Sequence, residues 1–172
     1  MSTPLADVLE PLDLRDAFRG AAASTWVVTG SSTAGHVGFT AISIVSVSVD
    51  PPLVSFNISK TSSSLAPISR SRRAALHLLS DEQRSVASRF ASDRDRRFID
   101  DGTWSLDGGG LPQVHGVAAR LVTHLVDLVD VGDSFIAVAR VDTADITDRR
   151  PLVHHAGGYY PLTTLTTTPN GA

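Results

Sequence analysis

Cysteine is absent from this 172-residue chain. That single absence excludes a disulfide framework, a thiolate nucleophile, an iron–sulfur cluster and a cysteine-based zinc site. The sequence also lacks any run of about 18 consecutive apolar residues, so no stretch reads as a membrane-spanning helix. Its N-terminus, MSTPLADVLEPLDLRDAF, has acids and prolines where a secretory signal would have a basic region and an unbroken apolar core. The expectation is a soluble cytoplasmic protein. No excess of one charge is present either: 15 Lys and Arg stand against 18 Asp and Glu, for a net charge of −3 with mixed signs. A nucleic-acid partner, which needs a cationic face, is not expected.

Several catalytic patterns are missing as well. The six histidines show no HxH or HExxH spacing, and adjacent His154 and His155 would point to opposite faces of a strand. No metal site is expected. There is no G-x-S-x-G elbow for a serine hydrolase. Gly108-Gly109-Gly110 precedes Leu111-Pro112 rather than a helix, so it is not a dinucleotide fingerprint.

The residues that are present read as mainly β. With 42% hydrophobic residues the chain can build one real core. Asp13 to Gly20 has helical spacing of Leu14, Ala17 and Phe18 and is expected to lie on the rest as a lid. Trp26–Thr29 and His36–Thr40 read as a hairpin with a loose tip at Gly30–Gly35. Ile44–Ser48 and Leu53–Ser59 alternate apolar and polar residues around an Asp50-Pro51-Pro52 turn. Ala74–Leu79 reads as a buried strand interrupted by His77, and Ser80 with Gln83 as a capping box opening a helix through Val86, Ala87 and Phe90. The polar stretch 91–110 is expected to be irregular, packing over the barrel or a partner subunit. Val117–Val129 and Ser134–Ile146 predict a long hairpin, and 151–155 with 159–162 a short one. Seven or eight strands without intervening long helices describe an antiparallel barrel, closed or split.

Gly38 to Ile68, GFTAISIVSVSVDPPLVSFNISKTSSSLAPI, is the segment around which the barrel is organised. Ser59-Lys60-Thr61-Ser62-Ser63-Ser64 offers five hydroxyls and one ammonium with little apolar material to bury. Two readings of these residues stand side by side. One is a polar strand edge and a solvated loop. In the other, small side chains at 40–43 let a planar ring lie on the backbone, while the 59–64 loop cradles a phosphate with Lys60 as counter-charge.

In order along the chain, VVTG, GFTAISIVSVSVDPPLVSFNIS, SLAPI, LHLLSDEQRSVASRF, GLPQVHGVAARLV, VGDSFIAVARV and PLVHHAGGYYPL resemble the flavin reductase-like family. The resemblance implies an FMN-binding split β-barrel, with residues 1–17 as an N-terminal segment, 18–165 as the domain and 166–172 as a flexible tail. It implies an isoalloxazine ring on Thr40, Ala41, Ile42 and Ser43, with Val54–Ser59 beneath it. The phosphate or ribityl end would meet Ser59, Lys60, Ser63 and Ser64. Arg89 and Phe90 would stand near the nucleotide end or a dimer contact, and Ser134, His155 and Tyr159 on the nicotinamide side. The implied activity is hydride transfer from NADH or NADPH to FMN, with FAD as the alternative, in a homodimer that serves a flavin-dependent monooxygenase. Such a reaction takes place between stacked rings and calls for no catalytic side chain of its own. Two departures stand out: Ser134 follows Gly132-Asp133 where the family usually has histidine, and Ala74-Ala-Leu-His77 replaces an aromatic-x-Val-Asn strand. They leave two rival expectations, a flavin-binding module without turnover and an oxidoreductase that retains FMN for a small substrate of its own.

Overall fold

A computed structural model describes residues 13–92 and 94–163; the expected tail at 166–172 and the chain before residue 13 lie outside the described residues. The first element, α1 (Leu14–Arg19), is capped by Asp13, whose carboxylate accepts from the Arg15 amide at 2.9 Å. It is not a lid within one chain. It buries none of its residues, and Leu14 and Phe18 are 57% and 70% exposed. Helical spacing shows that one face is apolar, but not what covers it.

The strands follow as β1 (Ala23–Ser24), β2 (Trp26–Ser32), β3 (Gly35–Ala41), β4 (Val45–Ser48) and β5 (Leu53–Ser59). After α2 (Leu65–Ser71) and β6 (Arg73–Leu78) come α3 (Arg84–Ala91) and a single 3-10 turn, Arg94–Arg96. The chain ends in β7 (Trp104–Leu106), β8 (Pro112–Val114), β9 (Ala119–Val131), β10 (Ser134–Ile146), β11 (Leu152–His155) and β12 (Gly158–Pro161). The strands beyond the seven or eight expected include the short β1, β7 and β8.

Three local expectations are corrected. The β2–β3 hairpin is tight rather than loose, because Gly30 and Ser31 stay paired with Val37 and His36. Gly35, at φ +126°, takes the backbone conformation that closes it. The capping box is half formed. Gln83 Oε1 accepts from the Ser80 amide at 2.9 Å, yet the Ser80 hydroxyl has no partner and the helix begins only at Arg84. Ser80 is held instead in a bridge to Pro151. Part of 91–110 is ordered, since β7 pairs with β8 across a turn in which Asp107 accepts from the Gly109 and Leu111 amides at 2.8 and 2.9 Å.

Seven strands form one antiparallel sheet in the order β3-β2-β6-β9-β10-β5-β4. Its two edges, β3 and β4, are consecutive in the chain and separated only by Ile42, Ser43 and Ile44. Three residues span at most about 14 Å, so the sheet must curl until its edges meet at that point. This is the split barrel that the alternating strands predict. Inside it, Val28, Val54, Phe56, Ile58, Ile68, Leu76 and Leu125 form the first core.

The wall made by β2, β6 and β9 is covered on its outer side as well. Val27, Leu79, Val86, Ala87, Phe90, Val114, Val117 and Leu152 form a second core under α3. Covering on both faces explains why Ala74–Leu79 reads as a nearly continuous apolar run. His77, wholly buried, is the exception. Its Nδ1 donates to the Val27 carbonyl at 3.1 Å, which leaves Nε2 as a buried acceptor without a partner. Burial pushes its pKa down to about 3, and the charge of Arg120, its register partner on β9, works in the same direction.

Candidate functional site

The segment between the two sheet edges is held from both sides. At its start, the Thr40 hydroxyl donates to the Ala87 carbonyl of α3 at 2.7 Å. At its end, Ser43 Oγ accepts from the Asn57 amide of β5 at 3.1 Å. Ala41 is buried and Ile42 is 45% exposed. The result is a short stretch fixed to a helix and to a strand, with small side chains at 40, 41 and 43 and Ile42 as its one large, outward-facing residue.

β5 beside it alternates as its sequence predicts. Val54, Phe56 and Ile58 enter the first core, leaving Asn57 and Ser59 exposed. Only the Ser55, Asn57 and Ser59 face is therefore open to a ligand. Ser134, the first residue of β10, is the register partner of Ser59, so a residue expected on the nicotinamide side stands next to one expected at the ribityl end. Its hydroxyl donates to the Asp133 carboxylate at 2.9 Å. His155 and Tyr159 belong to the separate β1-β11-β12 sheet. Tyr159 packs against the second core, where burial raises its pKa, and His155 is exposed.

The hydroxyl loop divides. Lys60 Nζ is 2.6 Å from Asp130 Oδ1 and 5.3 Å from the centre of the Phe135 ring, so its ammonium is drawn toward the β9–β10 hairpin. Ser63 instead lines a cleft of about 200 Å³ with His36, Gly38, Arg94, Asp95, Arg97 and Phe98. Behind it the Ser64 hydroxyl is fully buried and makes no hydrogen bond. Arg97 Nη1 donates to the Gly38 carbonyl at 2.6 Å, tying the 3-10 turn to β3. His36 and Phe98 meet edge to face at 5.8 Å, and Phe98 meets Phe90 at 5.2 Å. A hydroxyl, two guanidiniums and an imidazole around a small cleft are donors suited to a phosphate, with the Asp95 carboxylate offsetting part of their positive charge.

His36, Arg94 and Arg97 were not among the residues expected here. The only trace of the arginines in the sequence is the run Arg94-Asp95-Arg96-Arg97-Phe98, which reads as a solvated charged stretch until β3 is known to pass beneath it. Arg89 and Phe90, expected together, stay in contact, the Arg89 guanidinium lying 5.8 Å from the centre of the Phe90 ring, but their burial differs. Phe90 is 1% exposed in the second core and borders the cleft through its contacts with Phe98 and Gly38. Arg89 lies on the outer face of α3, bonded to Asp101 and Thr103.

Residues 18–163 match the family described as the flavin reductase like domain. The chain belongs to this family. It is 39% identical over 158 residues to a protein of Rhodococcus qingshengii named NADH:FMN oxidoreductase, covering 89% of this chain and 82% of that one. A second flavin reductase relative, the reductase subunit HsaB of a flavin-dependent monooxygenase from Rhodococcus jostii, is 31% identical over 95% of this chain and 84% of its own. Among solved structures, the NADH:FAD oxidoreductase SgcE6 of Streptomyces globisporus, in complex with NAD and FAD fragments, superposes with a TM-score of 0.81 at 27% identity. That superposition covers 97% of this chain and all of the other, so the flavin reductase fold extends over nearly the whole molecule.

Proposed function

We propose that this chain oxidises NADH and passes the hydride to FMN or FAD, and that the reduced flavin leaves for a flavin-dependent monooxygenase. The observation that carries the reading is the pinned 40–43 segment, with the Ser63 cleft and the Asn57–Ser59 face among the residues around it. Together they offer a shelf for a flat ring and a donor-lined cleft for its phosphate. The chemistry supplied by the bound groups is a two-electron transfer from nicotinamide C4 to flavin N5, NADH becoming NAD⁺ as the flavin is reduced.

The chain's own residues position and polarise. Thr40 and Ser43 are occupied in holding their segment in place, so what the segment presents to a ring is its backbone and small side chains. Backbone N–H groups at 41–43 would face the ring edge, where negative charge grows on reduction. Ser63, Arg94 and His36 would hold the phosphate, with the buried Ser64 hydroxyl as a spare donor behind them. Lys60, paired with Asp130, contributes at longer range. Ser59 and Ser134, adjacent in register, are positioned for the second ring.

The relatives' names support NADH as the donor. Exposed Val45 and Val47 on edge strand β4 and Val49 in the turn after it, together with Leu14 and Phe18 of α1, support a homodimer that covers them. No helix among the described residues is long and apolar enough to cross a membrane. A cytoplasmic site of action, where NADH is available, fits the reading.

The test is to follow NADH and NADPH oxidation at 340 nm with FMN, FAD and riboflavin added in turn. Oxidation of NADH that requires added flavin supports the proposal. Ser134, in place of the family's usual histidine, favours the second reading, a module that binds flavin without turnover; flavin binding with neither nicotinamide consumed would establish it. Arg94→Gln should weaken FMN about tenfold and leave riboflavin unchanged. An equal loss for both would move the phosphate out of the Ser63 cleft.

A further inference from the structure

His36 stands where two sets of contacts meet. Its ring lies edge to face against Phe98 at 5.8 Å and against Trp104 at 5.4 Å, which fixes its plane at the rim of the Ser63 cleft. Its Nδ1 is 3.2 Å from the Oγ of Ser31, its register partner across the β2–β3 ladder, and that Oγ is in turn 2.8 Å from the Gly110 carbonyl.

This chain of contacts decides where the protons are. A carbonyl only accepts, so the one hydroxyl hydrogen of Ser31 goes to Gly110. Ser31 Oγ then has only lone pairs to offer His36, and Nδ1 is the donor between them. A neutral imidazole carries a single N–H, so its Nε2 is left as an acceptor. Among the described residues that nitrogen has no hydrogen-bond partner. The far end of the relay is itself held. Gly110 closes the β7–β8 turn at φ +79°, its amide donating to the Asp107 carbonyl at 3.0 Å.

A phosphate ester gives up its second proton at about pH 6, so above about pH 7 it too is only an acceptor. Two acceptors bond only through a proton placed between them. The charged groups described around the cleft are Arg94, Asp95 and Arg97. Asp107, at the end of the relay, is engaged by Arg120, and Lys60 is turned to Asp130. Guanidiniums do not give up their protons in proteins, so the arginines are no source for it.

We propose that His36 takes up one proton from solvent when the flavin phosphate enters the cleft, and that Ser31 is the positioning residue that makes the uptake necessary by holding the neutral ring's only N–H away from the ligand. One N–H bond forms at Nε2, and the imidazolium donates it to the phosphate dianion. This rests on the flavin reductase reading above and makes phosphate recognition depend on pH: FMN is held more tightly at lower pH, whereas riboflavin, which has no phosphate, is not.

The experiment uses the full chain and reads FMN and riboflavin affinities by flavin fluorescence at about pH 7 and about pH 8.5, where the phosphate is already a dianion. Binding linked to one proton weakens by up to about tenfold per pH unit, so the FMN dissociation constant should rise about tenfold across this range, with riboflavin level. His36→Gln, which cannot titrate, should weaken FMN at the lower pH and flatten the profile. Ser31→Ala frees the neutral ring to carry its proton on Nε2, so the rise should shrink to about threefold, and Ser31→Thr, which keeps the hydroxyl, should restore it. Unchanged riboflavin binding in each variant reports an intact fold. Calorimetry in two buffers of different ionisation heat should show proton uptake with FMN by the wild-type chain and none by His36→Gln. An FMN profile no steeper than that of riboflavin, or one unchanged in His36→Gln, would overturn the proposal. Equal FMN weakening at both pH values in Ser31→Ala would overturn the role of Ser31. A steep FMN profile in a chain that oxidises NADH with no flavin would support the proton linkage and remove the functional reading instead.

Discussion

The two cores of this molecule share a wall and differ in what seals them. The barrel core is hydrocarbon throughout, and a buried polar side chain bordering it is satisfied: Thr123 donates to the Ala74 carbonyl at 2.9 Å. The core beneath α3 is bordered by His77, Ser80 and Arg120, each with a buried polar atom that has no partner. Arg120 is tied to Asp107 in a pair whose side chains are 8% and 15% exposed. Burial pushes the Asp107 pKa up, while Arg120 and the amides of Leu111 and Gly109 pull it down further, so it stays ionised. Apolar packing in the barrel supplies most of the stability. The polar groups around the outer core tie β6 to β2 and β9 to the β7–β8 turn, while α3 and the 3-10 turn that follows it are held by the bonds Thr40–Ala87 and Arg97–Gly38.

The contrast is sharpest in a pair of truncations. Phe56→Ala, inside the barrel, should cost about 4 kcal/mol in chemical denaturation, because the surrounding strands cannot collapse into the cavity. Phe90→Ala should cost nearly as much and in addition weaken FMN several-fold, since Phe90 supports Phe98 at the cleft. Equal effects of the two on FMN, after correction for the folded fraction, would erase the distinction.

Next in size is the buried ion pair. Asp107→Ala should destabilise by about 3 kcal/mol, because Arg120 is left charged and unpaired, whereas replacing both residues by apolar ones of similar volume should recover most of that loss. A double variant as unstable as the single one would show that the pair itself, and not the stranded arginine, matters.

His77 gives a pH signature. The unfolded chain takes up a proton near pH 6.5 that the folded chain refuses until about pH 3, so stability is full above 6.5 and falls as the pH drops toward 3. Unfolding free energies at pH 7.5 and pH 4.5 should differ by about 3 kcal/mol, and His77→Leu should flatten that part of the profile. An unchanged slope would mean that other groups govern the acid limb.

The smallest effect is expected at Lys60. Its pair with Asp130 is largely exposed, so Lys60→Gln should change stability by no more than about 0.5 kcal/mol. It should also alter the FMN to riboflavin preference less than Arg94→Gln does. A larger shift at Lys60 would return the phosphate to the 59–61 part of the loop.

Strand alternation made the barrel legible. Val54, Phe56 and Ile58 against Ser55, Asn57 and Ser59 fix which face is open before any coordinates are known. The 40–43 segment was singled out by its resemblance to the family's motif, since its residues alone fit a polar strand edge equally well. The remainder of the site depends on long-range placement. Arg94 meets Ser63 only because Arg97 anchors its turn to Gly38, a contact across 59 residues of chain that local pattern does not encode. The role of α1 was misjudged because an apolar stripe does not name its cover.

The meeting of β3 and β4 at Ile42–Ile44 has a mechanical consequence. A sheet that is not hydrogen-bonded shut has a seam, and here the seam and the proposed flavin shelf are the same few residues. An occupant bridging them would act as a clasp, tightening the barrel when it arrives and loosening it when it departs. Flavin exchange and barrel breathing would then be a single motion.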